Sequence, residues 1–146
     1  MKSTLSLLAL IITGTISGPA VQADQMAAQP MAKHDQMIHE GMAAFTMAEF
    51  EAAQAAGKSI LVDVYASWCP VCRSQESTLM SLVKDKDYAN VVMLRVDYDK
   101  QKDVLKVLKV RSQSTLLTFK GTTETGRISF KSDPDVIKAF AAKAKG

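Results

Sequence analysis

The only two cysteines of the 146-residue chain lie in Trp68-Cys69-Pro70-Val71-Cys72, directly after the apolar run of residues 60–66. Two thiols separated by two residues close a small disulfide ring when the second lies one helical turn after the first, and exchange opens and re-forms such a ring. Pro70 suits the first position of a helix, where its missing N–H is not needed and its φ is already helical. The spacing therefore predicts Cys69 as the N-cap and Cys72 as the third helical residue. The Cys69 sulfur then faces the free amides and the positive dipole end of the helix, which favours thiolate. These positions assign Cys69 as nucleophile and Cys72 as resolving thiol. The competing role for such a pair is a structural staple. A loop this small removes little entropy from the unfolded chain, so the exchange reading is preferred.

A second set of ligating side chains precedes this pair. Met26, Met31, His34, Met37, His39 and Met42 place both histidines and half the methionines within residues 24–44, a polar segment rich in Gln and Ala. Thioether and imidazole are copper ligands, so Met31, His34, Met37, His39 and Met42 are candidates for a copper-binding tail. The bland alternative is a helix face, with Met37 and Met42, that packs on the domain. A Cys2His2 zinc site is disfavoured, because the histidines precede the cysteines by about thirty residues, the reverse of the usual finger order.

The start of the chain sets the compartment. Met1-Lys2 is basic, residues 5–16 are apolar, and Val21-Gln22-Ala23 offers small residues for a signal peptidase. Cleavage is expected after Ala23, giving an exported, periplasmic protein. The apolar run is shorter than the roughly 20 residues of a membrane-spanning helix, so an uncleaved anchor is the lesser alternative. No cysteine at the cleavage point invites a lipid anchor. The remaining chain, about 120 residues, suffices for one domain with one core. Net charge is +3, with Lys84, Lys86, Lys100, Lys102, Lys106 and Lys109 interspersed with aspartates and without interleaved aromatics. These are solvated faces, and nucleic acid is not an implied partner.

The elements that must hold the cysteines follow from patterning. Thr46 and Glu49 read as a capping box and Phe45 with Phe50 as a hydrophobic staple, with Gly57 as the stop of that helix. Residues 60–66 lack polar alternation except for Asp63, as a strand buried on both faces does. Val71, Leu79, Met80, Leu82 and Val83 suit a helix from Cys69 to about Lys84, and residues 91–97 form a second buried strand. Val104, Leu105 and Leu108 mark a short helix. Residues 115–119 and 127–130 read as two strands joined through Gly121 and Gly126, and Asp133-Pro134 caps a last helix with Val136, Ile137, Phe140 and Ala144 inward. The order αβαβαββα implies a mixed sheet, with the cysteines at the carboxyl end of a central strand, where α/β sites form.

With Leu61-Val62-Asp63-Val64-Tyr65-Ala66-Ser67-Trp68-Cys69, Val96-Asp97 and Thr115-Leu116-Leu117-Thr118-Phe119-Lys120-Gly121 taken together, residues 45–146 resemble a thioredoxin domain. The resemblance implies an α/β thioredoxin fold in a single domain, with a mixed central sheet flanked by helices. Cys72-Arg73-Ser74-Gln75-Glu76 and Gly57-Lys58-Ser59 look most like periplasmic members that exchange electrons with membrane thiol transporters. The helical insertion of the oxidising relatives has no room here. Implied roles are a base for Cys72 at Asp63, six residues before Cys69, and a shield over the sulfurs at Trp68. A substrate groove would be formed by Trp68, Pro70, Val71, Gln113, Ser114 and Thr115. Ser114 stands where the family carries a cis-proline, and the cost of a non-proline cis bond, about 3–4 kcal/mol, predicts a trans Gln113–Ser114 bond and a reshaped groove. The expected activity is reduction of protein disulfides by a monomer whose only redox group is its own disulfide. Copper handling on a thioredoxin scaffold is the alternative.

Overall fold

The computed structural model describes residues 42–145. The elements are β1 (Ala43–Ala44), α1 (Met47–Ala55), β2 (Ser59–Tyr65), α2 (Pro70–Val83), β3 (Val91–Asp97), α3 (Lys102–Val107), β4 (Thr115–Lys120), β5 (Thr123–Ser129) and α4 (Pro134–Ala141). Short 3-10 turns follow at Lys86–Tyr88 and Ala142–Ala144. One five-stranded sheet runs β1-β3-β2-β4-β5. The first three strands in chain order are parallel where they pair, while β4 is antiparallel to β2 and β5 to β4. This is the single α/β domain with a mixed sheet that the patterning implies.

Each face of the sheet has its own apolar layer. Ile60, Val62 and Val64 of β2 face α1 and α3 with Val92, Leu94, Val96, Leu117 and Phe119, meeting Phe50, Ala53, Leu105 and Leu108. Leu61, Met93 and Leu116 face the other way, under Leu79 and Leu82 of α2 and Ile137, Phe140 and Ala141 of α4. A central strand covered on both sides has no polar face to alternate with, which explains the unbroken apolar run. Asp63 therefore enters the layer beneath α2 as a charge in an apolar compartment.

The predicted caps form. Thr46 Oγ1 accepts the Glu49 amide at 3.1 Å and Phe45 stacks 5.2 Å from Phe50. The Glu49 carboxylate turns to the Thr46 hydroxyl rather than to its amide. Gly57 has φ +65°, and the amide of Lys58 closes back on Ala53 O. Asp133 caps α4 by accepting from the amides of Asp135 and Val136.

Three expectations are corrected. The ordered fold reaches back before residue 45, because Ala43 and Ala44 pair with Leu94 and Arg95 as β1, a strand too short to leave a periodic signal. Gly126 is not part of the hairpin turn, which is Gly121-Thr122 with Gly121 at φ +54°. It lies inside β5, where a Cβ would stand 2.9 Å from Phe140 Cε2, so its missing side chain makes room for α4. Val136 is 43 % exposed, and Ile137 and Phe140 carry the inward face of α4.

Candidate active site

The cysteines sit where β2 gives way to α2. Cys69 is the N-cap of α2, Pro70 follows as its first residue, and Cys69 Sγ accepts the Cys72 amide at 3.2 Å. The Cys69 carbonyl also accepts the Arg73 amide. Both cysteines are free thiols, and both are nearly buried among Ala66, Tyr65, Val71 and Tyr98. Burial pushes the Cys72 thiol up to about 11, helped by its hydrogen bond with Cys69 and by the Asp63 charge, against the Ala66 backbone. Such a thiol is inert at neutral pH unless a base takes its proton.

Asp63 lies on β2 directly opposite Arg95 of β3 in the parallel register. It is 1 % exposed. Arg95 Nε donates to Asp63 Oδ2 at 2.9 Å, and Arg95 Nη1 donates to Glu76 Oε1 of α2 at 2.8 Å. The guanidinium also covers the Tyr65 ring at 4.4 Å. Burial raises the Asp63 carboxyl to about 6, with Arg95 opposing. Asp63 Oδ1 is buried without a hydrogen-bond partner. An unpartnered buried carboxylate oxygen is costly, and it is a lone pair held ready for a proton. Arg95 and Glu76 escaped the sequence analysis. The available signal was a lone cation inside the apolar strand of residues 91–96, facing the lone anion of β2.

The predicted groove residues divide. Trp68 is 54 % exposed and fixed, its Nε1 donating to Asp99 Oδ2 at 2.8 Å and its ring edge-on to Tyr98. Pro70 is exposed, and Val71 and Gln113 are half-buried. Ser114 and Thr115 are buried. No peptide bond among the described residues is cis, so Gln113–Ser114 is trans as predicted, and Ser114 adopts φ +58°. Its amide donates to Val64 O at 2.8 Å, and its carbonyl accepts from the Phe130 amide at 2.9 Å. Ser114 Oγ donates to Gln75 Oε1, and Gln75 Nε2 donates to Lys131 O. Every polar group of Ser114 is thus used inside the fold, and the groove is not lined by Ser114 or Thr115 side chains. Thr115 Oγ1 likewise bonds Ser112 O and Ser129 Oγ.

Of the metal candidates, Met42 packs beside the apolar layer under α2 with Sδ 4.0 Å from Arg95 Nη2. Met31, His34, Met37 and His39, like Met26 and residues 1–23, lie outside the described residues. Among the described residues no cluster of three His, Cys, Asp or Glu side chains is placed to hold a metal. No described helix is long and apolar enough to cross a membrane.

A buried dithiol at a helix N-terminus on a mixed sheet, with a buried carboxylate on the preceding strand, is an arrangement suited to thiol–disulfide exchange. The thioredoxin family model matches residues 41–143, and the chain belongs to the thioredoxin family. It is 34 % identical over 88 residues to thioredoxin-1 of Drosophila yakuba, covering 60 % of this chain and 81 % of that one. Human thioredoxin is 36 % identical over 80 residues, covering 54 % and 74 %. Among solved structures, Trxlp from Edwardsiella tarda superposes with a TM-score of 0.67 at 35 % identity, covering 69 % of this chain and 98 % of that one. Membership carries thiol–disulfide oxidoreductase activity toward protein disulfides in general.

Proposed function

We propose that this chain is an exported reductase of protein disulfides in which Cys69 attacks and Cys72 resolves. The Cys69 thiolate attacks one sulfur of a substrate disulfide, and the departing substrate sulfur leaves with the bond's electron pair and takes up a proton. Asp63 then takes the proton of Cys72, whose thiolate attacks Cys69 Sγ. The intramolecular disulfide closes, the second substrate thiol departs, and two electrons have passed from the dithiol to the substrate. The pair is restored by a thiol donor, for which a membrane thiol transporter fits the export leader of residues 1–23.

The observation that carries this reading is the pairing of a thiol raised to about 11 with a buried carboxylate near 6 that has one free oxygen. The resolving step needs a base, and the Asp63 charge acting on Cys72 supports that role for Asp63. Reduction is favoured over oxidation because a raised resolving thiol and a proton acceptor both serve attack on a mixed disulfide.

Two measurements test it. Cys72→Ser should accumulate mixed disulfides with partner proteins through Cys69, whereas trapping by Cys69→Ser would reverse the roles. Equilibration with glutathione should place the pair nearer the about −270 mV of thioredoxins than the about −120 mV of the strong periplasmic oxidant. A value above about −150 mV would overturn the direction of flow.

A further inference from the structure

Phe130 follows β5 with φ +57°, a left-handed conformation that a bulky side chain avoids. It is also 54 % exposed, so burial does not compensate the strain. The backbone on both sides is held in place. The Phe130 amide donates to Ser114 O at 2.9 Å, and the next carbonyl, Lys131 O, accepts from Gln75 Nε2 at 2.6 Å. Gln75 is buried, accepts from Ser114 Oγ, and lies one helical turn after Cys72 on α2. Strain maintained by a surrounding network and left facing solvent marks a residue kept for contact with something else.

The topology says where that contact falls. β2 and β3 end, β4 begins and β5 ends at one edge of the sheet, in the order β3-β2-β4-β5. Cys69 leaves the end of β2. Trp68 leans from there toward Asp99, past the end of β3, while Phe130 stands past the end of β5. Two exposed aromatics, Trp68 held by its side-chain bond and Phe130 by its backbone, thus lie past strands on opposite sides of β2, whose end leads to the dithiol. The surrounding loops and helix start carry Arg73, Arg111 and Lys131, all exposed and none in an ion pair among the described residues.

We propose that Phe130 is a specificity-determining residue, an aromatic contact for the apolar side chain next to the cysteine of an extended, acidic polypeptide substrate. The proposal rests on the disulfide-reductase reading. The apolar side chain loses water against the ring, and the unpaired cations favour acidic flanks over basic ones. Ser114 and Gln75 act as positioning residues that hold the strained backbone.

The test uses two peptide disulfides, each the dimer of a pentapeptide, Glu-Leu-Cys-Leu-Glu or Glu-Ser-Cys-Ser-Glu, so that charge is constant. The full chain should show a higher kcat/KM for the leucine peptide. Phe130→Gly, which removes the ring and the strain together, should lower the leucine-to-serine ratio of kcat/KM by about tenfold, mainly through KM, as expected if roughly half a leucine's burial is lost. Its melting temperature should hold or rise. Phe130→Leu should retain most of the preference. A ratio unchanged in a folded Phe130→Gly protein, or no preference in the unaltered chain, overturns the proposal. If the unaltered chain reduces neither peptide, the reductase reading fails instead, and this inference falls with it.

Discussion

Asp63 is the residue on which chemistry and stability compete. Its folded value, about 6, lies above the ordinary 3.8 because burial penalises the charge. A raised acid binds its proton more tightly in the folded state, so its contribution favours folding below about 4 and is lost as pH rises through about 6. Asp63→Asn should therefore stabilise the protein at pH 8 by roughly 3 kcal/mol, with the gain vanishing below pH about 4, as followed by urea denaturation across pH. The same variant should slow resolution of the mixed disulfide, since in the proposed cycle Asp63 takes the proton of Cys72. In the unaltered chain, that step should weaken as pH falls through about 6. Arg95 opposes the rise through its bond to Oδ2, so Arg95→Met should move the midpoint of the pH–rate profile upward. An unshifted midpoint in a folded Arg95→Met protein would detach the guanidinium from the chemistry.

At the level of elements, the segment before β4 is built for a residue other than the family's proline. Here Ser114 has φ +58° and its amide donates to Val64 O, whereas proline fixes φ near −65° and has no amide hydrogen. Ser114→Pro should thus cost about 3 kcal/mol or more rather than improve the groove, a loss that chemical denaturation would reveal. Gly126→Ala should also destabilise, by about 1–3 kcal/mol, because its Cβ must displace the Phe140 ring or the Thr118 hydroxyl. These two positions show where sequence reading stops. The caps at Thr46, Cys69 and Asp133 and the buried strands β2 and β3 were legible, since each is set by neighbours in the chain or by one unbroken pattern. The positions of Cys69 and Cys72 at the start of α2, and of Asp63 as a charge in an apolar strand, were legible for the same reason, whereas the base role of Asp63 came from the family resemblance. Arg95, Gln75 and Phe130 act across 16–56 residues of sequence, through register and left-handed backbone that no local pattern encodes. The strand assigned to residues 127–130 was likewise too short at its start, because Gly126 reads as a turn until the helix above it is seen.

For the whole molecule, the sheet separates two layers that are alike in composition and unlike in consequence. Leu116 and Leu117 are both fully buried neighbours on β4. Leu117 belongs to the layer under α1 and α3, whereas Leu116 lies opposite Asp63 under α2 and α4. Substituting alanine at either should cost about 2–5 kcal/mol. Only Leu116→Ala should bring water toward Asp63 and lower the pH midpoint of the resolving step, and equal midpoints in the two variants would contradict the desolvation account. The margins of the same sheet have a different bearing. β1 is only two residues long, and β5 is largely exposed, with Glu124 and Arg127 paired at 2.8 Å along it. A long apolar margin offers its free amides and carbonyls as a template on which other chains stack, whereas a short strand and a charged one do not. A protein that acts on the disulfides of other chains is exposed to their free strand margins, and these short and charged margins resist recruitment into an aggregate. Glu124→Ile should remove that protection, and light scattering during prolonged incubation with a reduced, unfolded polypeptide should rise for the variant while the unaltered chain stays clear.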